Sequence, residues 1–78
     1  MTGFKIDRSL DLKGVPCPLN FVKTKLMLEA METNSVLEVL LDDGEPITNV
    51  TASVKEEGHH ILNVEKIGTY WKLIVKKV

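Results

Sequence analysis

A predicted strand is joined to a predicted helix by the stretch Asp11-Leu12-Lys13-Gly14-Val15-Pro16-Cys17-Pro18-Leu19-Asn20. Gly14 and Pro16 favour a fixed turn in this stretch, because glycine permits a left-handed backbone and proline restricts φ. Pro18 suits the first helical position, where a backbone N–H would have no intrahelical partner. Cys17, the only cysteine of the chain, therefore falls at the predicted N-cap of the helix.

The predicted N-cap position gives the Cys17 sulfur a defined chemical environment. The N–H groups of Leu19 and Asn20 are expected within its reach, because the first N–H groups of a helix lack intrahelical partners. These donors and the positive end of the helix dipole favour a thiolate over a thiol. The position predicts an accessible, reactive sulfur, and the alternative is a buried cysteine that only packs.

Length and composition indicate one small folded domain over residues 1–78. The net charge of −1 provides no global field that would attract nucleic acid or a membrane. A single cysteine excludes an internal disulfide, which fits a reducing compartment. We find neither the apolar run of a signal peptide nor a stretch long enough to span a bilayer, so we expect a cytoplasmic protein without a membrane partner.

Hydrophobic spacing predicts four strands and two helices. Alternating apolar residues predict strands at 4–12, 36–41, 61–67 and 70–78, the last two joined by a turn at Gly68-Thr69. Helices are predicted at 18–32 and 46–58. This order predicts an α/β (α+β) two-layer sandwich, βαβαββ, in which both helices cover one face of a mixed four-stranded sheet. The strand at 36–41 is expected to be central, because it is apolar on both faces.

The first predicted helix carries two apolar stripes. We expect both to be buried, one against the sheet and one against the neighbouring helix. The first stripe comprises Leu19, Val22, Leu26 and Ala30, and the second comprises Phe21, Leu28 and Met31.

The cysteine stretch resembles the TusA-like sulfur-carrier family, also called SirA-like, whose hallmark is Cys-Pro-x-Pro at a helix start. Asp11 and Gly14 match family positions upstream of that motif. Asn20 departs from it, since it stands where the family usually has its second proline. We predict that the Asn20 side chain reaches back to the N-cap amide and replaces the fixing role of the proline. The resemblance continues through Lys23-Thr24-Lys25, Leu28, Glu29, Asp42-Asp43-Gly44-Glu45-Pro46 and Glu57-Gly58-His59.

The resemblance implies a sulfur carrier that holds sulfane sulfur as a persulfide on Cys17 and relays it to an acceptor protein. It implies a cysteine desulfurase or a rhodanese-type protein as the donor, and neither a metal nor an organic cofactor. The family feeds tRNA thiolation, cofactor sulfuration or sulfur oxidation, and the sequence does not choose among these routes. The supporting residues would be Pro18, Leu19 and Asn20 at the helix start and Asp11, Gly14 and Pro16 in the loop.

The residues themselves disfavour other cysteine chemistry. A Cys–His pair requires hydrogen-bond contact, and His59 and His60 are expected at the far end of the second helix. Dithiol exchange requires a second cysteine, and a tetrahedral metal site requires clustered ligands. Asp11 is expected to shape the loop by a hydrogen bond to its backbone. Lys13 and Lys23 are either ordinary solvated lysines or docking residues for an acidic partner.

A binding module without chemistry is the alternative, either a protein adaptor or an RNA-binding domain. The implied fold is similar to the C-terminal domain of translation initiation factor three, which contacts RNA. Lysines that alternate with apolar residues are more typical of a solvated edge strand, so we expect no nucleic-acid partner. The residues in question are Lys66, Lys72, Lys76 and Lys77, with Tyr70 and Trp71 nearby.

Overall fold

The computed structural model describes residues 5–16 and 18–78, which form four strands and two helices. The strands are β1 (Arg8–Asp11), β2 (Val36–Asp42), β3 (His60–Ile67) and β4 (Tyr70–Lys76). The helices are α1 (Leu19–Ala30) and α2 (Glu45–Glu56), and neither is long and apolar enough to cross a membrane. The predicted element order is confirmed. The first strand is shorter than predicted, and the predicted start at Phe4 lies outside the described residues.

The sheet is mixed, with strand order β1-β2-β4-β3. β1 pairs with β2 in parallel, whereas β2–β4 and β4–β3 are antiparallel. β2 is therefore an interior strand, as its sequence predicts. In the register, Asp11 lies opposite Leu40, while Asp42 and Ile67 both lie opposite Tyr70. The loop after β1, the loop after β2 and the β3–β4 turn thus meet at one end of the sheet, here called the loop end.

The core lies between one face of the sheet and the two helices. β2 alternates buried and half-buried residues along its length, because successive side chains of a strand point to opposite faces. α2 presents its buried side chains to that face, as its helical spacing predicts. Each fully buried aliphatic side chain contributes roughly 1.5–3 kcal/mol of burial free energy. The core includes Leu37, Val39, Leu41, Leu73 and Val75 from the sheet, Ile47, Val50 and Val54 from α2, and Leu28 from α1.

Helix α1 corrects the prediction that both of its apolar stripes are buried. Leu19, Val22 and Leu26 are 50%, 41% and 59% exposed, whereas the polar residues Asn20 and Thr24 are 0% exposed. The Thr24 hydroxyl donates to the Asn20 carbonyl at 2.9 Å, which satisfies it inside the fold. α1 packs against α2 and contributes Leu28 to the core, and no other described element packs on its opposite side. One stripe therefore remains in solvent.

Candidate functional site

The loop that leaves β1 is a closed turn fixed by backbone hydrogen bonds. Leu12 is buried, and its N–H donates to the Leu40 carbonyl at 2.9 Å, which extends the parallel ladder beyond β1. Val15 N–H donates back to the Leu12 carbonyl at 3.1 Å. Gly14 lies between them with φ of +80°, a conformation that favours glycine. The predicted turn at Gly14 is confirmed.

Asp11 shapes this loop through its side chain. Its Oδ1 accepts a hydrogen bond from Lys13 N–H at 3.1 Å, which is the local side-chain-to-backbone bond predicted for it. Its Oδ2 lies 3.9 Å from Lys13 Nζ, and both side chains are largely exposed. This ion pair contributes little stability, because solvent screens exposed pairs.

Asp42 anchors the loop from a neighbouring strand. Its Oδ2 accepts a hydrogen bond from Gly14 N–H at 2.7 Å, across 28 residues of sequence. Sequence reasoning used Asp42 as one of the residues that carry the family resemblance and missed this role. The available signal was topological, because the carboxyl ends of neighbouring parallel strands meet at the same edge of a sheet.

Tyr70 makes a second connection from the loop to the sheet. The Lys13 ammonium lies 4.3 Å from the centroid of the Tyr70 ring, within the range of a cation–π interaction. Lys13 is thus engaged within the domain by Asp11 and Tyr70. Sequence reasoning had placed Tyr70 with the lysines of β4 instead of with the cysteine loop.

The start of α1 differs from the prediction by one residue. The helix begins at Leu19, and Pro18 occupies the N-cap position with φ of −92° and ψ of 10°. Asn20 N–H, which the sequence predicts within reach of the sulfur, donates to the Pro16 carbonyl at 3.2 Å and so already has a main-chain acceptor. Pro16 precedes Asn20 by four residues, so this bond has the spacing of an α-helical hydrogen bond. Cys17 and its predicted N-cap role lie outside the described residues.

Asn20 is a buried residue, which the sequence did not predict. Its Oδ1 accepts a hydrogen bond from Phe21 N–H at 2.7 Å, so this contact runs forward along the helix. The predicted contact in the other direction involves the amide of residue 17, which lies outside the described residues. Full burial places Asn20 under the helix start, where its side chain packs inside the fold.

The residues on both sides of position 17 are open to solvent. Pro16 and Pro18 are exposed, and Leu19 is half exposed. Lys23, one turn further along α1, is exposed and forms no ion pair with any described residue. A protein that approaches the cysteine stretch therefore meets an accessible surface around it.

The histidines lie at the opposite end of the sheet from the loop. His60 pairs with Lys76 at the far end of β4, and Tyr70 marks the loop end. Six residue steps along a strand span roughly 20 Å. His59 Nδ1 accepts a hydrogen bond from Val78 N–H at 3.1 Å. Both histidines are therefore remote from residues 11–16, as predicted, and neither can act on that loop.

Most of the lysines considered for RNA binding have partners within the protein. Lys72 Nζ lies 3.6 Å from Glu65 Oε1, and Lys66 Nζ lies 3.6 Å from Asp43 Oδ2. Lys77 Nζ donates to two main-chain carbonyls at the end of α1. Lys72 and Lys76 lie on β4, which is an interior strand and not the edge strand expected from the sequence. Three of the four lysines are engaged within the protein, and the RNA-binding alternative is not favoured.

Asp43 connects Lys66 to an aromatic side chain at the loop end. Trp71 Nε1 donates to Asp43 Oδ1 at 2.7 Å, and this bond, followed by the Lys66 charge, lowers the pKa of the carboxyl below 3.8. Lys66 Nζ lies 5.9 Å from the Trp71 ring centroid. Asp43 is thus an ionised partner of both side chains, and among the described residues no hydrogen bond or ion pair joins its carboxylate to the cysteine loop.

Comparison with known sequences places most of the chain within one family. The family model described as "Sulfurtransferase TusA" matches residues 8–77. A "putative sulfur carrier protein" of Archaeoglobus fulgidus is 42% identical over 69 residues, which cover 87% of this chain and 78% of the relative. The "sulfur carrier protein TusA" of Allochromatium vinosum is 30% identical over 71 residues, which cover 91% of this chain and 93% of the relative.

The fold also matches a solved structure. The crystal structure of a SirA-like protein from Desulfitobacterium hafniense superposes with a TM-score of 0.77. The match covers 88% of this chain and 95% of the other, at 21% sequence identity. The two-layer arrangement of two helices on a mixed sheet is therefore shared with that protein.

Proposed function

Because this chain belongs to the sulfurtransferase TusA family, we propose that it is a sulfur carrier that holds sulfane sulfur as a persulfide on Cys17. The donor is a cysteine desulfurase or a rhodanese-type protein, and the recipient is a downstream acceptor protein. The relatives named as sulfur carriers cover nearly the whole chain and support this assignment.

The surroundings of the sole cysteine carry this proposal. Position 17 lies between two exposed prolines, after a loop tied to the sheet by Asp42 and before the first residue of α1. An exposed loop that is tied to the sheet suits a sulfur that must meet a second protein. The positive end of α1 favours an anion at this position, whether a thiolate or a persulfide.

The residues predicted to support the sulfur divide into two groups in this mechanism. Asp11 accepts a hydrogen bond through its carboxylate, and Gly14 N–H donates to the Asp42 carboxylate. The Pro16 carbonyl accepts from Asn20 N–H, and these bonds hold the shape of the loop. Pro18, Leu19 and Asn20 form the helix start, with Asn20 buried beneath it. Neither group exchanges a proton or an electron in the reaction, so Cys17 is the only reacting residue.

Loading is a thiol exchange that requires no external oxidant. The Cys17 thiolate attacks the outer sulfur of the donor's persulfide, and a new S–S bond forms as the donor's S–S bond breaks. The donor cysteine leaves as a thiolate with the electron pair of the broken bond. The proton of the persulfide stays on the transferred sulfur, which now belongs to Cys17. Transfer to the acceptor repeats the same step with Cys17 as the leaving group.

Intact-protein mass spectrometry after incubation with cysteine and a cysteine desulfurase tests the proposal. We expect the wild-type protein to gain the mass of one sulfur atom and to lose it on reduction with a thiol. Cys17→Ser is the matched control and should gain nothing. If the folded wild-type protein acquires no reducible sulfur from desulfurase, rhodanese or polysulfide, the carrier function is wrong.

A further inference from the structure

The outer face of α1 is apolar although it faces solvent. Leu19, Val22 and Leu26 recur at intervals of three and four residues and lie on one face of the helix, opposite the buried Asn20 and Thr24. We call these three exposed residues the outer stripe. Single exposed apolar residues are ordinary, whereas an aligned exposed patch marks a contact surface.

The shape of the outer stripe favours a macromolecular partner. A helix surface is convex, and two surface cavities that lie near the helices are lined by other residues. A convex apolar ridge fits a groove on another protein, in the manner of helix-in-groove recognition. Three partly exposed side chains offer a few hundred Å² at most, compared with about 800 Å² per partner in a stable complex. The occupant is therefore a transient partner.

The charge of Lys23 favours a different protein over a second copy of this chain as the occupant of the outer stripe. Lys23 lies four residues after Leu19 on the same helical face and forms no ion pair with any described residue. In an antiparallel pair of copies centred on the outer stripe, the two Lys23 side chains would come together and repel each other. A partner with an apolar groove and carboxylates near the start of α1 would instead neutralise Lys23.

The position of the outer stripe identifies which partner this is. Leu19 follows Cys17 by two residues, so a protein that covers the stripe also covers the start of the helix. We propose that the outer stripe is the docking surface for the persulfide-bearing donor protein, whose groove is apolar and carries carboxylates where it meets Lys23. This proposal rests on the proposed function, because docking serves to bring the donor's persulfide to Cys17.

Loading rates from two different sources test the docking proposal. The first source is a cysteine desulfurase with cysteine, which must dock, and the second is inorganic polysulfide, which need not. We expect the Val22→Gln/Leu26→Gln double variant to lose about tenfold in kcat/KM with the desulfurase, as for central contacts of an interface. Its rate with polysulfide should equal that of the wild type.

Val64→Gln is the matched control, since Val64 is a 40% exposed apolar residue on β3, away from α1. It should load from both sources as the wild type does. Lys23→Glu should also slow loading from the desulfurase and weaken its dependence on salt.

The remaining outcomes separate docking from carrier function. If the double variant loads from the desulfurase at the wild-type rate, or if its polysulfide rate falls equally, the outer stripe is not a docking surface. Wild-type loading from polysulfide but not from the desulfurase overturns the choice of donor and leaves the carrier function standing. Loading of the wild type from neither source overturns the carrier function itself.

Discussion

The cysteine loop owes its shape to a small number of hydrogen bonds, and the bond from Gly14 N–H to Asp42 is the shortest of them at 2.7 Å. A carboxylate acceptor makes this bond charge-assisted and therefore stronger than a neutral one. It joins the loop after β1 to the end of β2, so the loop is held by the sheet as well as by its own turn. Asp42 is thus a positioning residue for the segment that carries Cys17.

Replacing Asp42 tests this role. We expect Asp42→Ala to slow polysulfide loading of Cys17 about fivefold, because a hydrogen bond of about 1 kcal/mol that fixes the loop is lost. Asp42→Asn keeps an acceptor oxygen and should recover most of the rate. The rates are measured by intact-protein mass spectrometry.

The neighbouring aspartate provides the control for that experiment. Asp43 contacts Trp71 and Lys66 rather than the loop, so Asp43→Ala should load at nearly the wild-type rate. Equal losses in Asp42→Ala and Asp43→Ala, or no recovery in Asp42→Asn, would contradict a positioning role for the Asp42 carboxylate.

Helix α1 is held at its C-terminal end by a residue beyond the last strand. Lys77 Nζ donates to the Leu28 carbonyl at 2.6 Å and to the Met31 carbonyl at 2.8 Å. The Leu28 carbonyl also accepts Met31 N–H, at 3.2 Å. The last carbonyls of a helix lack the regular intrahelical donors, and a cation there also interacts favourably with the helix dipole. Lys77 N–H and C=O additionally bond to Ser35 and Asn34, which fixes the position of the lysine. This contact compensates for the absence of basic residues in the last turn of α1.

We expect Lys77→Met to lower the free energy of unfolding by about 1–2 kcal/mol, since two charged hydrogen bonds in a partly buried site are lost. Urea denaturation measures this change. Lys76→Met is the matched control, because Lys76 forms no ion pair with any described residue, and its effect should stay within about 0.5 kcal/mol. Equal effects of the two substitutions would show that Lys77 does not hold the helix end.

The stability of the whole domain depends on pH through His59. Burial, followed by the nearby charge of Lys77, lowers the pKa of His59 below 6.5, and Glu57 partly opposes this. The unfolded chain therefore binds a proton at His59 more readily than the folded chain does. The contribution of neutral His59 to the free energy of unfolding is fully present above pH 6.5. It declines as the pH falls below that value, towards the lowered pKa of the folded state.

Urea midpoints should therefore fall when the pH is lowered from about 7.5 to about 5.5, the range in which histidine titrates. His59→Gln should show a smaller fall over the same interval, because the titrating group is absent. A wild-type slope that the substitution leaves unchanged would rule out His59 as the source of the dependence.

Much of the fold follows from local patterns in the sequence. α2 was correctly predicted because its apolar residues recur at helical spacing on one buried face. β2 was correctly predicted as an interior strand because it carries apolar residues on both faces. The turn at Gly14 was also predictable, since a positive φ is a local requirement. The first helix was only partly predictable. Its periodicity shows which residues share a face, and it does not show which faces another layer covers.

The sequence by itself determined the order of elements, the loop around the sole cysteine and the family resemblance, because these depend on residues close together in the chain. The tertiary structure decided that Asp42 bonds to Gly14, that Asn20 is buried and that the outer stripe is exposed. The physical reason is that burial and long-range hydrogen bonds depend on how elements pack. Two helices on one face of a four-stranded sheet leave the far side of α1 uncovered by any other described element, and no local pattern specifies that.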